Sequence, residues 1–154
     1  MPVLKIYLHL VWSTKDRVPY LFNEAIRSQV WTHIADNARK KEIQLINVNG
    51  HNDHCHCLIR LQADQTVAKI LQLLKGESSH WINQSGLIAS KFQSSKFDWQ
   101  NDYHVESVSP GLLYSVNDYI NLQEEHHMKE SFQDELVRFL TEYESKNLDF
   151  RKLP

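Results

Sequence analysis

Two histidines separated by one cysteine are the clearest chemical signal in this sequence. His54, Cys55 and His56 open a run that continues over residues 57–61 as Cys-Leu-Ile-Arg-Leu, and its alternation predicts a strand. On a strand both imidazoles point to one face, whereas Cys55 and Cys57 point to the opposite, apolar face. Two imidazoles side by side can bind one metal ion. Two surface histidines are the alternative, and a zinc site with all four side chains is disfavoured because the alternation separates the two pairs.

A tyrosine and a glutamine four residues apart form the second candidate group. Tyr119 and Gln123 lie in a stretch of helical spacing, so they would be neighbours on one helix face. A tyrosine hydroxyl can attack phosphorus and form a covalent intermediate, and a glutamine carbonyl oxygen can complete the shell of a hard metal ion. A tyrosine on a helix is more often a packing residue, and composition does not distinguish Tyr119 from Tyr103, Tyr114 or Tyr143.

The hydrophobic pattern places both groups within an ordered series of strands and helices. Alternating spacing predicts strands over residues 4–12, 43–48, 54–61 and 103–108. Spacing of three and four predicts helices over residues 23–41, 67–86 and 109–123, the last with Ser109 as its N-cap and Pro110 at its first position. A polar stretch at residues 91–101 is expected to form an exposed loop.

This order predicts an α+β fold, a ferredoxin-like βαββαβ antiparallel sheet with additional C-terminal helices. We expect a single domain over residues 1–154, with a core at about 3–127 and a C-terminal helix at about 131–145. The two crossing helices of this plan pack on one sheet face and leave the other face free. His54 and His56 would therefore lie on an open face. The fold hosts many functions and does not name one.

Length and composition restrict the class of protein further. The 154 residues suffice for one domain, and 42% hydrophobic residues argue against intrinsic disorder. No apolar run approaches a membrane span and no signal peptide is visible, so we expect a cytoplasmic protein without a membrane partner. Cys55 and Cys57 lie two positions apart on one strand, which disfavours a disulfide bond between them, and free cysteines fit a reducing compartment. The net charge of -2 disfavours DNA binding by bulk charge, although the basic first half could carry a phosphate-binding face.

Several segments together resemble a known family of DNA-processing enzymes. His54-Cys55-His56 resembles the His-hydrophobic-His signature of HUH endonucleases, and Tyr119-x-x-x-Gln123 resembles the catalytic helix of their single-tyrosine transposases. These are the TnpA-type, IS200-like transposases of the smallest insertion sequences. Residues 10–15, 49–54, 74–79 and 119–127 are also similar, so the resemblance runs from about residue 7 to about residue 142. Cys55 is a small hydrophobe, which preserves the packing role of the middle position.

The resemblance implies a reaction and a set of site residues. His54, His56 and Gln123 would bind a divalent ion, Mg2+ or Mn2+, and Tyr119 would attack a phosphate of single-stranded DNA. The products would be a 5′-phosphotyrosine and a free 3′-hydroxyl, so rejoining would need no ATP. The family also implies hairpin DNA ends as the substrate and a homodimer, in which the tyrosine helix of one subunit can complete the other subunit's site. Such a protein would be bacterial or archaeal and would associate with the nucleoid when bound to DNA.

Basic side chains are the candidates for contacts to the DNA backbone, although each also fits a solvated helix end or loop. They are Lys15, Arg17, Arg39, Lys40, Lys41, Lys69 and Lys75. Two other functions stay open on the sequence. One is a domesticated relative associated with repetitive palindromes, which would share the chemistry. The other is a non-catalytic module that binds single strands by stacking bases on Tyr7 and His9 of an open sheet face.

Overall fold

A four-stranded antiparallel sheet forms the centre of the computed structural model, which describes residues 2–88, 92, 96–126 and 134. Its strands are β1 (Tyr7–Ser13), β2 (Gln44–His51), β3 (His54–Arg60) and β4 (His104–Val108), in the spatial order β2-β3-β1-β4. Every neighbouring pair is antiparallel. Together with the helices this arrangement confirms the predicted α+β, ferredoxin-like fold.

Two long helices cover one face of the sheet, and local signals set their ends. Helix α1 (Glu24–Lys40) begins after Asn23, whose side chain accepts a hydrogen bond from the backbone N–H of Ile26. Helix α2 (Val67–Ser85) begins after Thr66, which caps it in the same way. It ends at Gly86, whose positive φ of 66° suits glycine. None of the helices among the described residues is long and apolar enough to cross a membrane.

The main hydrophobic core lies between these helices and the sheet. Leu8, Leu10 and Trp12 alternate along β1 and point into it. Cys55 and Cys57 of β3 point to the same side and are fully buried, as the alternation predicts. Both cysteines are free, and their Sγ atoms are 3.9 Å apart. Burial, together with the adjacent Cys57 thiol, raises the pKa of Cys55 well above its ordinary value.

The second face of the sheet is covered as well, so the prediction of an open face was wrong. After β4 the chain turns through residues Pro110–Leu112 into α3 (Leu113–Asn121) and α4 (Gln123–His126), which lie against β2 and β3. Ile120 of α3 is fully buried and packs against Leu58 and Val108. Burial of these apolar side chains favours packing of α3 on this face, because the helix removes them from water.

The segment before β4 also departs from the sequence expectation. Within the predicted exposed loop at residues 91–101, Phe97 and Trp99 are only 1% and 3% exposed. Trp99 pairs with Thr14 in an isolated antiparallel bridge, and its indole N–H donates to Ser78 Oγ at 2.9 Å. The polar composition of the surrounding sequence led to the prediction of a loop, but these two aromatic side chains pack into the edge of the core.

Smaller differences concern the ends of elements. Strand β1 begins at Tyr7, later than predicted, and the β2–β3 turn uses Asn52 and Asp53. Ser109 makes no side-chain cap to the turn that follows it. The helix predicted to carry both Tyr119 and Gln123 is interrupted at Leu122. The helix predicted at about residues 131–145 lies outside the described residues apart from residue 134.

Candidate active site

The two histidines of β3 lie side by side beneath the α3–α4 segment. Both are fully buried. Their ring centroids are 5.1 Å apart, and the rings are inclined at 76° to one another. In the sheet register, Ser13 of β1 is opposite His54 and Val11 is opposite His56, so both imidazoles start from the middle of the sheet. Strand β3, which is paired on both sides, therefore fixes the backbone positions of the two histidines.

Gln123 brings an amide oxygen to the first histidine. Its Oε1 is 3.2 Å from Nε2 of His54, and the side chain is fully buried. Its Nε2 lies 3.5 Å from the backbone oxygen of Tyr119. The interruption at Leu122 makes Gln123 the first residue of α4, and the side chain still points down onto the sheet.

Asp53 orients His54 from the other side of the ring. Its Oδ1 is 2.9 Å from Nδ1 of His54, which places the ring proton on Nδ1 as the donor to the carboxylate. A ring that carries its single proton on Nδ1 has its lone pair on Nε2, the nitrogen beside Gln123 Oε1, and that lone pair would be available to a metal ion. A carboxylate behind a histidine is a common support for metal ligands in proteins. Sequence reasoning did not assign this role to Asp53, although its position directly before His54 offered a signal.

A third histidine supports the second. Nε2 of His9 lies 2.8 Å from Nδ1 of His56, and the two rings stack with centroids 5.1 Å apart. His9 is only 4% exposed, and Tyr7 packs partly buried against Leu58, Val108 and Ile120. The alternative in which His9 and Tyr7 stack on bases is therefore disfavoured, because α3 covers the face on which they lie and buries His9.

Tyr119 joins this group from α3 of the same chain. Its ring centroid is 5.9 Å from that of His56 and 6.5 Å from that of His9, with both contacts edge-to-face. The side chain is half-buried, so it contacts the histidines while part of it reaches the surface. By contrast, Tyr114 on the same helix is 78% exposed. The structure thus separates Tyr119 from Tyr114 and from Tyr103, which is 47% exposed.

Asparagines of β2 fasten α3 to the sheet. The side-chain N–H groups of Asn47 donate to the side-chain oxygens of Asn117 and Asn121, at 2.9 and 2.8 Å. Asn49 donates to the backbone oxygen of Ile120 at 2.9 Å. These bonds satisfy polar groups near the C-terminal end of α3, where backbone oxygens otherwise lack helical partners. They hold the tyrosine helix over the histidines.

A buried arginine holds α4. Arg27 of α1 is 6% exposed, and its Nε and Nη2 donate to the two carboxylate oxygens of Glu124 at 2.8 and 3.0 Å. Its Nη1 donates to Leu21 O and to Asn52 Oδ1, both at 2.8 Å. This bidentate geometry is the strong form of a charged hydrogen bond. Glu124 follows Gln123 directly, so the pair sets the position of the amide.

The donor set of two imidazoles and one amide oxygen fits a divalent ion such as Mn2+ or Mg2+. Two adjacent ligands of an octahedral ion at ~2.1 Å lie ~3.0 Å apart, and the observed separation between His54 Nε2 and Gln123 Oε1 is 3.2 Å. Within the part of the chain that the structure describes, no three His, Cys, Asp or Glu side chains are placed to hold a metal ion together. A shell at this place would depend on the glutamine.

Six of the seven predicted DNA-contacting residues are divided between the two ends of the sheet. Lys15 and Arg17 follow β1 at the end where Ser13 pairs with His54. Both are exposed, and Arg17 lines a cleft of about 530 Å³ with Ser13 and Tyr103. The other four exposed residues lie toward the opposite end, where β2 begins beside the end of β3: Arg39, Lys40, Lys41 and Lys69.

The ammonium group of Lys75 makes its contacts within the protein. Its Nζ donates to the backbone oxygens of Gln100 and Asn101 at 2.6 and 3.1 Å, and it lies 5.6 Å from the ring centroid of Tyr103. Burial lowers the pKa of Lys75 below its ordinary value. These contacts give the side chain a role in holding the segment before β4.

Comparisons with known proteins agree with the geometry. The family described as "Transposase IS200 like" matches residues 2–123. The transposases for insertion sequence element IS200 of Salmonella typhimurium and Salmonella typhi are each 27% identical over 116 residues, which cover 75% of this chain and 74% of theirs.

Two solved structures share the fold. A Deinococcus radiodurans R1 protein aligns with a TM-score of 0.62 at 23% identity, over 79% of this chain and 93% of its own. A REP-associated tyrosine transposase bound to a REP hairpin aligns with a TM-score of 0.54 at 13% identity, over 82% of this chain and 71% of its own. The family match spans most of the chain and includes His54, His56, Tyr119 and Gln123. This chain therefore belongs to the IS200-like transposase family.

Proposed function

We propose that this chain cleaves and rejoins single-stranded DNA at insertion-sequence ends through a covalent 5′-phosphotyrosine intermediate. One observation carries the proposal: the ring centroid of the half-buried Tyr119 lies 5.9 Å from that of His56, next to the His54–Gln123 pair. A tyrosine hydroxyl can attack phosphorus, and a metal ion held beside it by this donor set would stabilise the charge that develops on the phosphate. Membership of the IS200-like transposase family supports the same chemistry.

In the proposed cleavage step, the Tyr119 oxygen attacks the scissile phosphorus. A new P–O bond forms to tyrosine, the P–O3′ bond breaks, and the 3′ oxygen leaves as a hydroxyl after taking up a proton. The reverse attack by a 3′-hydroxyl restores one phosphodiester for each phosphotyrosine ester that is lost. Because one ester replaces another, rejoining needs no nucleotide cofactor.

The site would hold Mg2+ or Mn2+ through His54, His56 and Gln123, and such an ion stabilises charge that develops on phosphate oxygens. Asp53 and His9 keep the two imidazoles in orientation, through hydrogen bonds of 2.9 and 2.8 Å. DNA hairpins are the proposed substrate and a homodimer the proposed assembly, with Lys15 and Arg17 best placed for phosphate contacts near the site.

A tyrosine substitution with a matched control tests the nucleophile. The substrate is a labelled single-stranded hairpin oligonucleotide from the DNA that flanks the gene, incubated with Mg2+ or Mn2+. The unchanged protein and Tyr114→Phe should form an adduct that survives denaturing electrophoresis. Tyr119→Phe loses one oxygen and should form none while its thermal unfolding changes little. An adduct that persists in Tyr119→Phe refutes the assignment, and full cleavage in EDTA refutes the metal role.

The other functions are separable from this one. A non-catalytic binding module needs an exposed stacking face, and burial of His9 beneath α3 removes the surface on which that alternative depended. A domesticated relative would share the chemistry and differ in its DNA. Terminal hairpins flanking the gene indicate an insertion sequence, whereas palindromes scattered over the genome indicate the domesticated relative.

A further inference from the structure

We infer that His9 is a positioning residue that fixes which nitrogen of His56 binds the divalent ion, an inference that rests on the proposed function. The two imidazoles are joined by a hydrogen bond of 2.8 Å between His9 Nε2 and His56 Nδ1. Their rings stack at an angle of 24° with centroids 5.1 Å apart. His9 is 4% exposed and His56 is fully buried, so protein contacts determine the orientation of both rings.

The hydrogen bond has a consequence for the tautomer of His56. A neutral imidazole carries one N–H donor and one acceptor nitrogen. If His56 Nδ1 donates to His9 Nε2, the lone pair of His56 lies on Nε2 and can bind the ion. If His9 donates instead, His56 Nε2 carries the proton and binds no metal. Metal binding therefore requires the first arrangement, in which His9 is the acceptor.

The sheet register explains why His9 can serve this purpose. His9 pairs with Leu58, and Val11 pairs with His56. Paired and alternate residues of antiparallel neighbours share a face, so His9 reaches His56 diagonally across β1 and β3. An apolar residue would suit the buried position of His9 better unless the imidazole makes a needed hydrogen bond. Its ring also contacts Tyr119 edge-on, with centroids 6.5 Å apart.

His9 is not placed as a third metal ligand. Its Nε2 is engaged by Nδ1 of His56 at 2.8 Å. Among the described residues no cluster of three His, Cys, Asp or Glu side chains could hold one ion. The role is therefore to orient a ligand, in the same way that Asp53 orients His54.

Direct Mn2+ binding to the DNA-free protein tests the inference. Free Mn2+ is measured by electron paramagnetic resonance for the unchanged protein, His9→Phe, His9→Gln and His56→Ala. His9→Phe keeps ring volume but removes the hydrogen bond, so its Mn2+ affinity should fall about 10–100-fold. His9→Gln places an amide near the lost Nε2 and should recover most of that affinity. Thermal unfolding without metal shows whether each variant folds.

The outcomes separate this inference from the proposed function. If His56→Ala loses Mn2+ while His9→Phe binds as well as the unchanged protein, the role of His9 is refuted and the metal site stands. If His56→Ala also binds normally, the metal site itself is refuted. A second measurement does not depend on folding of a variant. Imidazole nitrogen NMR of the unchanged protein with Mg2+ should show His56 protonated at Nδ1, and a proton at Nε2 overturns the inference.

Discussion

The Arg27–Glu124 pair should determine how firmly the side-chain amide of Gln123, a proposed metal ligand, is held. Glu124→Ala removes the carboxylate that receives Arg27 Nε and Nη2 at 2.8 and 3.0 Å. Arg27 keeps its bonds to Leu21 and Asn52, so the body of the fold stays intact. Gln123, which precedes Glu124, loses the constraint that places it beside His54.

The size of the effect follows from the burial of the two partners. The Arg27 side chain is 7% exposed, whereas that of Glu124 is 40% exposed and partly screened by water. Two hydrogen bonds between charged groups, discounted for that exposure, amount to about 2–3 kcal/mol. At about 1.4 kcal/mol for each tenfold change, α4 should detach about 30–150 times more often. The free energy of global unfolding should fall by about the same amount, because the contact is lost in that process too, but local opening of α4 leaves the main core intact.

Amide hydrogen exchange is the suitable assay, since it reports local opening separately from global unfolding. Amides of residues 119–126 should exchange about 30–150-fold faster in Glu124→Ala, while α2 amides that exchange by local fluctuations should be little changed. Glu125→Ala is the matched control, because this neighbouring side chain is exposed. Equal exchange in the two variants would show that the ion pair does not secure α4, and the reasoning from its geometry would fail.

Two further predictions concern the strands that carry the histidines. A Cβ at Gly50 would overlap the backbone oxygen of His54, so Gly50→Ala should destabilise the protein by about 1–3 kcal/mol and weaken Mn2+ binding. Gly76→Ala, which has open space around its Cβ position, should do neither. Equal denaturation midpoints for the two variants would contradict this prediction. Both thiols are fully buried, and burial raises the pKa of Cys55, so Cys55 and Cys57 should resist iodoacetamide at pH 8 in the folded protein. Both should react once the protein is unfolded in guanidinium. Mass spectrometry distinguishes these states, and rapid labelling of the folded protein would contradict the burial argument.

Local signals in the sequence determined much of the fold. The start of α1 at Asn23, the start of α2 at Thr66 and the end of α2 at Gly86 depend on contacts within a few residues. Alternation along β3 likewise placed Cys55 in the core and the histidines on the opposite face. The roles of the site residues came from the family resemblance, and they stay predictions because spacing alone cannot distinguish a ligand from a packed side chain.

Tertiary structure decided what surrounds the site. The hydrogen bond between His9 and His56 joins residues 47 apart in sequence, and that from Arg27 to Glu124 joins residues 97 apart. Such pairs depend on strand order and on the return of α3 and α4 across the sheet, which no local pattern encodes. The same return buried the face that the sequence predicted to be open. Ile120 shows the physical reason. Helical spacing assigns it to the apolar side of a helix, but only the assembled sheet provides Leu58 and Val108 as the surface against which it packs.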